Sequence, residues 1–108
     1  MYALWGLGLM MLAKTIIVVD EKVNVHDFSE VAWRATGNID PARDLVIVQG
    51  PMDDLDHAAL RHKYGGKLGI DATEKGALDD VQQEWPEEIV MSEEIKELVK
   101  KRWNEYGF

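Results

Sequence analysis

Carboxylates and imidazoles crowd one stretch of this chain: Asp53, Asp54, Asp56, His57 and His62. Oxygen and nitrogen donors at such close spacing are the types that hold a metal ion. Their order, however, fits neither an HExxH pair nor a calcium-binding loop, and a solvated acidic loop accounts for them as simply. A second stretch, Gly65-Gly-Lys-Leu-Gly69, has the composition of a phosphate cradle but lacks the GxxxxGK[ST] spacing and a clear following helix. Its plainer reading is a tight turn whose glycines take positive φ. A third set places Asp20 and Glu21 after an apolar run and Asp44-Leu-Val-Ile-Val48 further on, the acidic pair and strand of a phosphoacceptor site. The acceptor position there falls on Val48 or Gln49, and neither takes a phosphoryl group. Ser29 and Ser92 stand where helices begin, His26 belongs to a turn, and the lack of cysteine removes thiolate chemistry. These residues therefore nominate no catalytic group and no metal ligand.

The elements that must carry them follow from periodicity. The apolar run after Met1 predicts a packing helix over 2–12, buried against something larger, although Gly6 and Gly8 each lower its helicity by about 1 kcal/mol. Thr15–Asp20 is a β-branched run typical of a strand buried on both faces. Glu21–His26 is a polar connection. Asp27 with Glu30 three residues on forms a capping box, and Phe28, Val31, Ala32 and Ala35 make an apolar stripe that ends at Gly37-Asn38 in a left-handed stop. Asp40-Pro41 turns the chain into a second strand, Leu45–Val48. The span 15–51 thus reads as a βαβ unit with parallel strands and a right-handed crossover. Two strands make a meagre sheet, so a third must come from the loop region 52–91 or from a partner. Ser92 caps a terminal helix over 92–106, with Ile95, Leu98, Val99, Arg102 and Trp103 on one side and its charges matched to the helix dipole. The predicted class is α/β: a single small, three-layer-like domain with a long ordered loop and a terminal helix.

Composition narrows the function. The 108 residues carry a net charge of −8, 46% apolar residues and four tryptophans. That leaves room for one modest core, and a surface that phosphate backbones and anionic lipid repel, so neither nucleic acid nor a membrane surface is an expected partner. The apolar amino terminus is shorter than the roughly 20 residues of a membrane span. It also lacks the positive start and cleavage site of a secretory signal. Cysteine-free composition suits a reducing cytoplasm, which is the expected location.

Four stretches in register resemble the C-terminal portion of UbiD-type decarboxylases, the prenylated-flavin-dependent carboxy-lyases of quinone biosynthesis and aromatic-acid metabolism. Ile17–Asp27 matches the start of that domain through Asp20, Asn24 and Asp27. Trp33 stands in the following helix, and Asp40-Pro41-Ala42-Arg43-Asp44 matches the turn into the next strand. Gly65–Thr73 matches a glycine–lysine–glycine–Ile-Asp-Ala-Thr motif through Gly65, Lys67, Gly69, Asp71 and Thr73, with Gly66 where serine is common. Trp85-Pro86 and the terminal helix look like the menaquinone-associated branch. After Thr73 the chain departs from the family, being acidic over Glu74–Asp80 where a basic, tryptophan-containing segment is usual.

The resemblance covers residues 4–103, yet only the last quarter or so of such an enzyme. It implies that the motif residues are structural, with Arg43 paired to Asp40 or Asp44, and that Met52 and Leu55 line a substrate cleft. It places the glutamate–arginine–glutamate proton-transfer set, the prenylated FMN, a divalent metal and potassium in a flavin-binding domain or partner subunit, with no cofactor held by this chain alone. The implied role is an assembly and lid domain of a carboxy-lyase acting on an aromatic or α,β-unsaturated acid, inert alone and self-associating through its apolar first helix and its terminal helix. The alternative is a stand-alone homo-oligomeric interaction module.

Overall fold

The strand at the centre of the sheet is one the sequence hides. In the computed structural model, which describes residues 1–107, Tyr64–Asp71 (β3) lies between Thr15–Val18 (β1) and Leu45–Pro51 (β2). β1 pairs with β3 in parallel, Thr15 opposite Leu68, whereas β2 pairs with it antiparallel from Leu45↔Ile70 to Pro51↔Tyr64. The α/β class and the third strand from the loop region are therefore present, but the βαβ unit of two neighbouring parallel strands is not. β2 folds back on its sequence neighbour through the connection 52–63, a short loop closure that costs less entropy than pairing across the intervening helix. β3 is then interposed between β1 and β2. Pro51 is tolerated because β2 is an edge strand. Gly65, Gly66 and Gly69 erase the β signal of β3, since glycine neither favours strands nor shows alternation.

The helices differ from expectation in detail. The predicted helix over 2–12 is two pieces, Tyr2–Trp5 (α1) and a 3-10 turn Gly8–Leu12, broken because Gly8 takes φ +50°. Trp5 Nε1 donates to the carbonyl of Ala13 at 3.0 Å, closing the segment into a hook. The hook is not buried: Leu7 and Leu9 are exposed. Phe28–Gly37 (α2) starts at Asp27, whose Oδ1 accepts from the amides of Ser29 and Glu30 at 3.0 and 3.1 Å. The Glu30 carboxylate reaches back to the amide of Asn24, one turn further out than a capping box requires. α2 does not end in a left-handed residue, for Asn38 has φ −99°. Its side-chain amide instead donates to the carbonyl of Ala72 at 3.2 Å, tying the helix end to the end of β3. Pro41–Asp44 (α3) is a single turn before β2, and Glu93–Lys101 (α4) follows the Ser92 cap, with a separate 3-10 turn at Trp103–Glu105.

Little of this is core. Ile16, Val23, Met52 and Ala72 are the buried apolar residues among those described. The radius of gyration is 18.7 Å, against about 13 Å for a compact domain of this length. No described helix is long and apolar enough to cross a membrane.

The glycines of β3 differ in what they permit. A Cβ at Gly65 would meet Ala59 at 3.2 Å and Met52 at 3.3 Å, while one at Gly66 meets nothing within 4 Å. Gly65→Ala should therefore lower stability by roughly 1–2 kcal/mol through overpacking. Gly66→Ala should be neutral or stabilising by a few tenths, since neither glycine has positive φ. Urea midpoints of the two variants check the contrast.

Candidate functional site

Successive side chains of a strand point to opposite faces, and on β3 this sends Gly65, Lys67 and Gly69 to one side, all three buried. The glycines leave a channel: Ala59 and Met52 approach Gly65, and Met1 and Trp5 approach Gly69. Between them the Lys67 ammonium donates to the carbonyls of Met11 at 2.6 Å and Ala13 at 3.1 Å, with the Met52 sulfur at 3.7 Å. Burial pushes the Lys67 amine below the usual lysine range. The glycine–lysine–glycine run is thus neither a turn nor a phosphate cradle. It is a strand face that receives the amino-terminal hook, and its ammonium is consumed by main-chain oxygens. These residues do not fit a flavin phosphate.

The acidic loop has no common focus. Both oxygens of Asp56 accept from the Lys14 ammonium, at 2.9 and 2.7 Å, and this bond holds the carboxyl below its ordinary range. Asp53 Oδ1 accepts from the Leu55 amide at 2.8 Å, and Asp54 faces His62 at 2.9 Å and Lys63 at 3.4 Å. Among the described residues no three such groups converge to hold a metal ion. Of the two expected cleft-lining residues, Leu55 projects with 89% of its surface exposed, whereas Met52 is buried with its sulfur turned to Lys67.

Most of the remaining motif residues close local turns, while Asp20 reaches across the fold and Trp33 stacks with Arg34. Asp20 accepts from the Glu74 amide at 2.9 Å, and Asn24 accepts from the His26 amide at 3.1 Å. Asp40 caps α3 at the Ala42 amide, with Pro41 in the first turn. Arg43 grips Asp44 with two bonds of 2.7 Å, and Asp44 also accepts from the Asp40 amide. At the end of β3, Asp71 accepts from the amide and hydroxyl of Thr73. Burial pushes the Asp71 carboxyl up, but these bonds and Lys75 outweigh it and leave it below its ordinary range. Trp33 is half exposed, with the Arg34 guanidinium 4.8 Å from its ring.

Two cations escaped the sequence reading. Lys75 is buried with its ammonium bound to the carbonyls of Asp71 and Thr73 at 3.0 and 2.6 Å. Arg34 is buried in α2, donates from Nη2 to Glu88, and leaves Nε without a partner. Its one sequence sign is position, three residues after Val31 at the border of the apolar stripe. Arg34 lines a groove of about 390 Å³ with Trp33, Asn38, Gln83, Trp85 and Pro86. A shallower hollow of about 570 Å³ is lined by Asp20, Glu21, Lys22 and Glu74.

Comparison with known proteins gives the context. Residues 1–72 match the family model of the 3-octaprenyl-4-hydroxybenzoate carboxy-lyase C-terminal domain. An uncharacterized protein of Archaeoglobus fulgidus is 49% identical over 106 residues, covering 97% of this chain and 22% of its own length. One of Aquifex aeolicus is 48% identical, covering 98% and 22%. This chain thus spans 22% of the length of these relatives. Among solved structures, the vanillic acid decarboxylase of Sedimentibacter hydroxybenzoicus in closed form superposes with a TM-score of 0.76 at 24% identity, covering 99% of this chain and 23% of its own. The UbiD-class enzyme HmfF of Pelotomaculum thermopropionicum, solved in complex with FMN, gives 0.62 at 31% identity, covering 77% and 18%.

The Arg43–Asp44 pair makes a pH prediction. The Arg43 bond lowers the Asp44 carboxyl from 3.8 to about 2. A carboxyl depressed in the folded state adds stability above its unfolded value, and that stability drains away as pH falls from near 4 through 2. With half-exposed Arg43 screened by solvent, the contribution is on the order of 1 kcal/mol. Asp44→Asn should cost that much at neutral pH and progressively less as pH falls from near 4 through 2, read from denaturation midpoints across the range.

Proposed function

This chain belongs to the 3-octaprenyl-4-hydroxybenzoate carboxy-lyase C-terminal domain family, the C-terminal part of UbiD-class decarboxylases, and from that membership we propose that it is the assembly and lid domain, or small subunit, of a prenylated-flavin-dependent carboxy-lyase. The flavin, with a divalent metal and potassium, belongs to a catalytic domain or subunit outside these residues. There it supplies the electron-accepting chemistry for loss of CO2 from an aromatic or α,β-unsaturated acid, in quinone biosynthesis within the cytoplasm. This chain contributes no catalytic residue and is inert alone.

The observation that carries the reading is uncovered apolar surface. Among the described residues four apolar ones are buried, while Leu55, Leu78 and Ile89 are exposed by 89%, 102% and 94%. Apolar side chains exposed on this scale, beside so small a core, support a surface that docks against another domain or subunit. Support comes from the neighbours: HmfF is solved with FMN, and the Sedimentibacter decarboxylase in open and closed forms. A lid of this kind excludes water from the reacting centre. Leu55 is the wall residue of that lid, held by its amide bond to Asp53, and Met52 acts only by supporting Lys67 from within.

A second reading has its own observation. α4 exposes Ile95 and Leu98 by about half along one stripe. Together with the exposed hook it forms the surface of a homo-oligomer, either within the decarboxylase or as a stand-alone interaction module.

Native mass spectrometry with a visible absorption spectrum, on tagged chain drawn from its own host's extract, tests the proposal. A larger flavin-coloured partner is expected. A colourless homo-oligomer alone would overturn the enzymatic reading, and flavin-free decarboxylation by this chain would overturn inertness. With the partner in hand, Leu55→Asp should reduce decarboxylation by about tenfold, on the order of one lost apolar contact, while circular dichroism of the chain stays unchanged.

A further inference from the structure

The groove beside α2 holds an arginine that is only half used. The Arg34 side chain is 8% exposed, and its Nη2 donates to Oε1 of Glu88. Nε, on the same edge of the guanidinium, is sealed from solvent with no partner. A guanidinium presents Nε and Nη2 as a fork that matches the two oxygens of one carboxylate. Glu88 occupies one tine only, because its other oxygen turns toward the Lys22 ammonium 3.7 Å away. Buried donors left without an acceptor are uncommon and mark a place where a group is missing or can be improved upon.

The walls around this fork specify what would complete it. Trp33 lies under the guanidinium, and Trp85 and Pro86 line the same space, which measures about 390 Å³. That volume lies within the range of small-molecule pockets and admits one substituted six-membered ring. Indole faces favour a flat aromatic partner. The present occupant is displaceable: the Glu88 side chain is 36% exposed, on a segment without regular structure, and the Lys22 ammonium, which donates to Glu74, also lies 3.7 Å from its other oxygen. Glu74, Glu84 and Glu87 also line the groove. An entering anion is therefore held only by what it gains at Arg34, and its affinity is modest.

We infer that this groove is a binding site for a single-ring aromatic carboxylate, which replaces Glu88 on Arg34, takes both Nε and Nη2, and stacks its ring between Trp33 and Trp85 while Glu88 moves to Lys22. The inference concerns this chain alone and does not depend on a flavin-bearing partner.

Benzoate is the probe and benzamide, its neutral isostere, the control, titrated into the intact chain while the Arg34 Nε–H signal is followed by NMR. Benzoate should shift that signal with a dissociation constant on the order of 1 mM, and benzamide should leave it in place. Glu88→Gln removes the competing charge and should tighten benzoate by about tenfold, with circular dichroism confirming that the variant is folded. Three results would overturn the inference: no shift at tens of millimolar, an equal response to benzamide, or benzoate binding that leaves the Arg34 signal unmoved. The wild-type titration decides the matter even if the variant fails to fold.

Discussion

A charge buried without an opposite charge governs the arrangement of this domain. Removing an ammonium from water is costly unless its donors are satisfied, and Lys67 has no carboxylate among its hydrogen-bond partners, only two carbonyls and a sulfur. Those carbonyls belong to Met11 and Ala13, where the 3-10 turn of the hook runs out and main-chain oxygens lack main-chain partners, that of Ala13 accepting also from Trp5 Nε1. The lysine therefore caps a helix from across the fold. Around this bond the hook, β3 and Met52 fall into one cluster, and Gly65 and Gly69 hold the space open on either side. Lys14, two residues beyond the hook's turn, extends the same cluster to the acidic loop through Asp56.

The surplus of acid in the sequence has a related explanation. Asp27, Asp40, Asp53, Asp56 and Asp71 each accept a main-chain amide two or three residues ahead. In such turns the carboxylate does the work a regular element would otherwise do for the backbone. A small domain with a thin core gains rigid corners in this way, and the negative charge follows from that use.

How much of this the amino-acid order reveals depends on the element. β1, β2, α2 and α4 announce themselves by β-branched runs or by caps, and Asp27, Asp40 and Ser92 cap the helices they precede. β3 is invisible because three of its eight residues are glycine. Its concealment also misdirects the topology, since two recognisable strands flanking a helix imply a parallel pair. The motif residues are legible as a family pattern and not as chemistry, because their side chains close turns or, at Asp20 and Lys67, tie distant backbone together. Arg34 and Lys75 are missed for further reasons that periodicity does not report: Arg34 is paired across 54 residues with Glu88, and Lys75 folds back onto the turn at Asp71 and Thr73 just before it. The open apolar surface is likewise unreadable, since composition counts apolar residues without saying which are covered.

The central position of β3 also dictates the order of events during synthesis. β1 leaves the ribosome before the strand it pairs with, which is made roughly fifty residues later. Until Leu68 arrives, Ile16 and Ile17 have no strand to pair with, and β2 alone cannot serve because its place is on the far side. The hairpin of β2 and β3 can close locally, after which β1 and the hook add to a finished edge. Any stall before Tyr64 leaves two sticky apolar ribbons without a template. The emergence of eight glycine-rich residues is thus the moment at which the nascent chain commits to its shape.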